Sequence, residues 1–377
     1  MHIVGYFLGA VIILVPLIDG FETIIQPRRV VHRFRLARIY YRCGWLVWRI
    51  VARRISHRKV RESFLGIFGP LSLLGLFVVW VFQLILGFSL LQWAARTPLY
   101  TIDHAETFLT YLYMSGTTFF TLGYGDVTPL DGFGRTMSVA ESGLGFGFLA
   151  VLISYLPVLA QSFSRREVTI ALLDARAGSP PTAGQILIRL GRSDSLAEVN
   201  QFLIEWEAWC AELLESHLSF PVLTYFRSQH DNQSWLAALT AILDTCAVLM
   251  SEIAEFNPYR AQLAFAMARH AAVDLSLIFN APPEHGDADR LTTEKRHDLE
   301  RALRDAGLQL HQEDAGDKLS ELRGMYEPFL HAMARRFMLT LPPLLPEVES
   351  ADDWQRSPGM RAPGLEKLPM KRPFEHW

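Results

Sequence analysis

Thirty-one consecutive residues, Phe64 to Ala94, carry no charged side chain. About 20 apolar residues cross the hydrocarbon core of a bilayer as a helix, so this run is long enough to span it with tilt. Its end carries Gln92 and Trp93, polar and amphipathic groups suited to a membrane interface. Two further blocks share the character. Ile3 to Ile18 is uncharged before Asp19 and Glu22, and reaches spanning length if Gly20 to Ile25 are included. The block from about Arg135 to Ala160 is rich in Gly, Leu and Phe and contains one ionisable residue, Glu141. The clustering explains why a chain with 20% charged residues has a positive mean hydropathy of +0.16. Such a composition excludes a disordered or collagen-like chain and argues against a purely cytosolic enzyme. Cys43, Cys210 and Cys246 are too scattered for a disulfide framework or a zinc pair.

The first block is read as an uncleaved transmembrane helix within residues 1–26. It starts Met1-His2 without a basic leader and shows no small-residue cleavage site, although a cleaved or interfacial segment is the competing reading. About a dozen Lys and Arg between Arg28 and Arg61 place residues 27–63 on the cytoplasmic side. Arg165 and Arg166 close the third block in the same sense. Within the basic segment Arg35, Arg38, Arg42, Arg49 and Arg53 fall on one helical face, with Leu36, Tyr40, Cys43, Val47 and Ile50 opposite. Such a helix would lie on the inner leaflet with its arginines at anionic lipid headgroups; packing on the cytoplasmic domain is the alternative. Topology accounts for the basic run, so nucleic acid is not expected as a partner.

Between the second and third blocks stands Thr117-Thr118-Phe119-Phe120-Thr121-Leu122-Gly123-Tyr124-Gly125-Asp126. It resembles the selectivity filter of the single-pore potassium channel family, whose usual form is T-V-G-Y-G-D. The resemblance continues through Pro129, Gly134 and Arg135 to Gly145, covering roughly positions 105 to 160. It implies a pore domain over 64–164, with an outer helix at 64–94, a pore helix and filter at 103–126 and an inner helix at 134–160. It also implies K+ as the permeant ion, in a homotetramer, with an ion-binding filter of Thr121, Leu122, Gly123, Tyr124 and Gly125 and ion-facing carbonyls from Thr121, Leu122, Gly123 and Tyr124. A dehydrated ion needs backbone oxygens in place of water, and Gly123 and Gly125 can take the left-handed backbone that aims them. Asp103 to Glu106 reads as a capping box opening the pore helix, whose carbonyl end would point at the central cavity. The family's usual Val and Thr are replaced by Leu122 and Phe120, and its pore-helix tryptophans by Tyr113 and Met114, so the cuff around the filter is built differently.

Asp126, Glu141 and Thr117 are expected to support the filter. A carboxylate at membrane depth must be neutral or partnered, and Ser115 and Thr117 are the nearest hydroxyl candidates for Glu141. Gly145 matches the position where related inner helices bend; hinge and close packing are both open for it. Pro157 is expected to kink the helix near its cytoplasmic mouth. No regular arginine helix suggests a voltage sensor.

From 165 to 340 the pattern becomes helix-periodic, predicting helices around Glu198 to Leu218, Trp235 to Ala254, Arg260 to Phe279, Leu291 to Gly307 and Asp317 to Met338. The fold class is therefore all-α, a membrane pore module with a helical cytoplasmic domain. Residues 341–377, rich in Pro and charge, read as a flexible tail. The helical domain offers no nucleophile, acid pair, metal spacing or glycine-rich nucleotide loop, so no enzyme and no cofactor are implied. The expected protein is a multi-pass channel of the plasma (inner) membrane, whose helical domain assembles or gates it, open to an unknown cytoplasmic regulator. The alternative is a membrane-anchored sensor or interaction protein with a non-conducting or weakly selective pore.

Overall fold

The structure is a computed structural model describing residues 2–25, 35–102, 107–192, 196–228, 232–254, 256–286, 289–311 and 315–346. It is mostly helical and divides into two units, Met1–Gln161 and Ser162–Trp377.

The first unit contains α1 (His2–Gly20), which ends in a π-helical turn, α2 (Leu36–Arg53), α3 (Arg58–Ala95), α4 (Phe108–Phe119) and most of α5 (Gly132–Ala177). Three helical stretches, Ile3–Ile24, Arg58–Ala95 and Gly132–Ala177, are long and apolar enough to cross a membrane, so this is an integral membrane protein. In lipid, helices gain little from hiding apolar surface from their neighbours, and close backbone approach must hold them together. Glycines supply it here. A Cβ on Gly9 would meet Leu91 and the Gly87 carbonyl, and one on Gly87 would meet Ile13. The pairing of Gly5 with Ala94 and of Ile13 with Gly87 makes α1 antiparallel to α3. Ile13, Leu84, Phe88 and Phe119 form the buried cluster where α1, α3 and α4 meet, with Leu144 and Phe148 of α5 against it.

Asp19, which interrupts the first apolar block, is only 4% exposed. Its Oδ2 accepts from Trp80 Nε1 of α3 at 2.9 Å and from the Ala37 amide at 3.0 Å. The carboxylate thus caps the first turn of α2 from another helix, satisfying an amide that the helix leaves unpaired. Trp48 stacks on Phe64 at 4.3 Å and donates Nε1 to its carbonyl at 3.1 Å, fixing α2 along α3. Of the basic segment, residues 27–34 lie outside the described residues. The outer helix starts at Arg58 rather than Phe64, because Arg58-Lys59-Val60-Arg61-Glu62 is itself a helix-forming sequence.

After α3, β1 (Leu99–Thr101) pairs antiparallel with β2 (Val127–Pro129), Leu99 opposite Pro129 and Thr101 opposite Val127. This short ladder ties the entry of the α4 hairpin to the residues just beyond it. The inner helix, expected to end at 160, continues to Ala177.

The second unit contains the end of α5 and α6 (Ala183–Arg192), α7 (Leu196–Ser219), α8 (Trp235–Ser251), α9 (Tyr259–Ile278), α10 (Thr293–Asp305), α11 (Ala315–Gly324) and α12 (Glu327–Phe337). Nearly every residue of α8 is buried, from Trp235 to Leu249, as expected of a helix apolar on all sides. Its one carboxylate, Asp244, receives both terminal nitrogens of Arg290 at 2.8 and 2.9 Å and the Tyr326 hydroxyl at 2.6 Å. Arg290 also donates to Glu327 at 3.0 Å and to the Pro342 carbonyl at 2.7 Å. Burial works against the Arg290 charge, but Asp244 and Glu327 hold its pKa above the ordinary value.

Two expectations are corrected here. The single helix predicted over Asp317 to Met338 is two, because Pro328 has no amide hydrogen and its ring would clash with the Gly324 carbonyl. Residues 341–346, assigned to a flexible tail, pack on the domain: Leu344 is 1% exposed and its carbonyl accepts from the Gly184 amide at 2.7 Å. The prolines stop the helix without releasing the chain. Residues 347–377 lie outside the described residues.

Candidate ion-conduction site

The α4 helix is opened by Thr107, whose hydroxyl and amide exchange contacts with Thr110 in a capping box. The capping box expected at Asp103 to Glu106 lies outside the described residues. At its other end the helix unwinds through a Schellman arrangement. The Leu122 amide donates to the Thr117 carbonyl at 2.8 Å and the Thr121 amide to that of Thr118 at 3.0 Å. The left-handed residue this requires is Thr121, with φ of 55°. Glycine is usual there; a β-branched side chain costs roughly 1–2 kcal/mol in that region. The carbonyls of Gly116, Thr117 and Thr118, expected to face a central cavity, are thus engaged by the amides of 120–122.

Beyond Thr121 the sign of φ alternates. Gly123 is at 60° and Gly125 at 77°, with Leu122 and Tyr124 at negative φ between them. Alternation of this kind turns successive carbonyls to one side of the strand, the arrangement a row of cation sites needs. A Cβ on either glycine would meet nothing within 4 Å, so conformation, and no steric neighbour, is what selects glycine. In the single chain Leu122 is 53% and Tyr124 68% exposed.

Two polar clamps hold this segment. Asp126 Oδ2 accepts from the Tyr113 hydroxyl of α4 at 2.8 Å, and its Oδ1 accepts from the Val127 amide at 3.1 Å. Deeper in, Glu141 of α5 is 0% exposed and meets Ser115 of α4, whose hydroxyl also reaches the Ile85 carbonyl of α3 at 2.8 Å. The Ser115 hydroxyl therefore joins α3, α4 and α5 at one point. Of the two hydroxyls expected for Glu141, Ser115 is the partner; Thr117 turns its hydroxyl to the Met114 carbonyl at 2.9 Å and serves Leu122 through its backbone.

Gly145 sits against the end of α4, where a Cβ would collide with the Phe119 carbonyl oxygen. Close packing accounts for this glycine. Gly143 and Gly147 have nothing within 4 Å of a built Cβ. Helix α5 runs through Pro157 as one element. Sequence reasoning missed the left-handed Thr121 and treated Tyr113 only as a replaced tryptophan; its hydroxyl, placed 13 residues before a carboxylate, was the available signal.

Residues 74–161 match the family described as "Ion channel". The chain belongs to that family through its pore domain, and an ion channel domain supports a cation channel. It is 27% identical over 206 residues to the uncharacterized membrane protein YdjJ of Bacillus subtilis, covering 53% of this chain and 57% of that protein. It is 30% identical over 94 residues to protein LctB of Bacillus caldotenax, 22% of this chain and 69% of the relative. A 43-residue stretch is 49% identical to LctB of Geobacillus stearothermophilus, 11% of this chain and 31% of that protein. The chain thus spans little more than half the length of YdjJ. No solved structure matches it.

Proposed function

We propose that the protein is a potassium-selective channel of the plasma (inner) membrane, assembled as a homotetramer around the Thr121–Gly125 segment, with its helical second unit in the cytoplasm. The observation that carries this reading is the alternating φ along Thr121, Gly123 and Gly125 within a TLGYGD sequence, braced by Tyr113–Asp126 and Ser115–Glu141. One such strand supplies one wall of an ion-sized passage, and four around an axis close it. Residues 121–125 are all exposed in a single copy, which suits that assembly. Thr121, Leu122, Gly123 and Tyr124 supply the ion-facing carbonyls, and Leu122 packs its larger side chain where the family has Val. The dense arginines of α2 favour the cytoplasmic side for that helix, and with it for the second unit.

The helical unit grips the end of α5 in a way that suits control of the pore. Within that unit Arg166 donates to the Leu223 and Phe226 carbonyls, both at 2.9 Å, and stands 3.3 Å from His217 Nε2. A regulator acting on the helical unit would reach α5 through this anchor. The test is cation flux into liposomes holding the full-length protein, together with its assembled mass. Potassium uptake that exceeds sodium uptake, is blocked by barium and comes from four copies is expected. Absence of flux, or equal flux of both ions, would favour a membrane-anchored sensor with a vestigial pore.

A further inference from the structure

Helix α2 divides into three sectors around its axis. Ala37, Trp45 and Ala52 are buried, with Trp48 stacked on α3. A second sector holds Arg38, Arg42, Arg49 and Arg53, which at 100° per residue fall within an arc of about 60°. Arg38, Arg42 and Arg53 are exposed. Arg35 stands apart from this group, held by Glu22 at 3.2 Å and by Thr23 at 3.1 Å. The third sector borders the arginines and is apolar: Ile39, Leu46, Val47 and Ile50 are 50%, 51%, 60% and 48% exposed, with Cys43 exposed among them.

A helix immersed in water would not keep four large aliphatic side chains half exposed beside its charges, and one immersed in hydrocarbon would not keep the arginines. The boundary between the two media satisfies both sectors. Helix α2 has four arginines and no acidic residue, and Arg54, Arg58, Lys59 and Arg61 follow it. A second copy laid on the same face would therefore set cation against cation. A layer of phosphates complements it, since guanidinium groups bind phosphate oxygens in pairs.

We propose that α2 is a binding surface for anionic phospholipid, with Arg38, Arg42, Arg49 and Arg53 on headgroup phosphates and Ile39, Leu46, Val47 and Ile50 among the acyl chains. The inference rests on α2 alone and stands whether or not the pore conducts. Through Asp19, which holds both the Ala37 amide and Trp80, a lipid drawn to α2 is tied to α1 and α3.

Cys43 is the natural probe, being exposed while Cys210 and Cys246 are buried. An environment-sensitive dye on Cys43 of the full-length protein, reconstituted in vesicles of phosphatidylcholine and phosphatidylglycerol, should be quenched by spin-labelled lipid and spared by aqueous iodide. Native mass spectrometry should find phosphatidylglycerol retained over phosphatidylcholine by roughly tenfold or more. Arg38→Gln with Arg42→Gln and Arg53→Gln should bring the two lipids near parity without lowering the melting temperature. Quenching by iodide, Cys43 to Cys43 cross-links between copies in place of lipid quenching, or equal retention of both lipids by the unaltered protein would each overturn the proposal. The last three readings need no variant, so a misfolded triple substitution does not shield it.

Discussion

The two units of this chain use buried charge in opposite ways. Around Asp244 in the second unit, each carboxylate oxygen meets a donor, and Arg290 spends its nitrogens on Asp244, Glu327 and Pro342. The network joins α8, α12 and the two loops that carry Arg290 and Pro342, and it is complete within one copy. In the first unit the buried Glu141 carboxyl meets one hydroxyl, and the segment it stands behind keeps an unusual backbone with its residues exposed. One region has settled its electrostatics by folding. The other holds a strained, open strand on a rigid frame, a pattern that marks working sites.

The sharpest way to break this contrast is at the strand. Gly123→Ala or Gly125→Ala puts an L side chain at φ of 60° or 77°, and ion flux should fall by about 100-fold or more while helix content and assembled mass are unchanged. Persisting flux would separate the glycines from conduction. In the second unit, Asp244→Asn leaves Arg290 without its main counter-charge. Loss of one partner of a buried pair typically costs about 3–5 kcal/mol, read as a lower denaturant midpoint with residues 121–125 untouched.

A third change crosses the comparison. Gly145→Ala should cost about 1–3 kcal/mol by forcing α5 from the Phe119 carbonyl, lowering the melting temperature and the open probability together. If only gating moved, with stability intact, Gly145 would be a hinge and packing would not explain it. The smallest effect concerns pH. Burial, aided by Arg166, pushes His217 down to about 3. The unfolded chain then binds the additional proton between about pH 6.5 and 3, so stability is full above pH 6.5 and is lost as pH falls through that window. The slope is at most about 1.4 kcal/mol per pH unit. His217→Gln should flatten this part of the melting profile; an unchanged profile would assign the acid sensitivity to other groups.

Much of the membrane frame was legible because hydropathy is a one-dimensional property: the uncharged run after Phe64 and the blocks on either side of it mark the spans directly. The TLGYGD motif was legible because glycine reports its own backbone requirement. Thr121 was not, since nothing in a threonine advertises a positive φ that only the end of α4 imposes. Ser115 and Thr117 were equivalent partners for Glu141 until helix geometry turned one toward α5 and the other toward Met114. Asp19 looked like the end of an apolar run, and its task, capping α2 and holding Trp80, depends on residues 18 and 61 positions away. The same limit hid the break between α11 and α12: periodicity continues across it, and Pro328 acts through the carbonyl of Gly324.

The central claim is that the Thr121 to Gly125 strand selects potassium by offering backbone oxygens in place of water. The most direct test is the reversal potential of the full-length protein in a planar bilayer, with potassium salt on one side and an equal concentration of sodium salt on the other. The account predicts a large displacement from zero in the direction set by potassium, abolished with the current itself in Gly123→Ala. A reversal potential at zero, with current flowing, would contradict it.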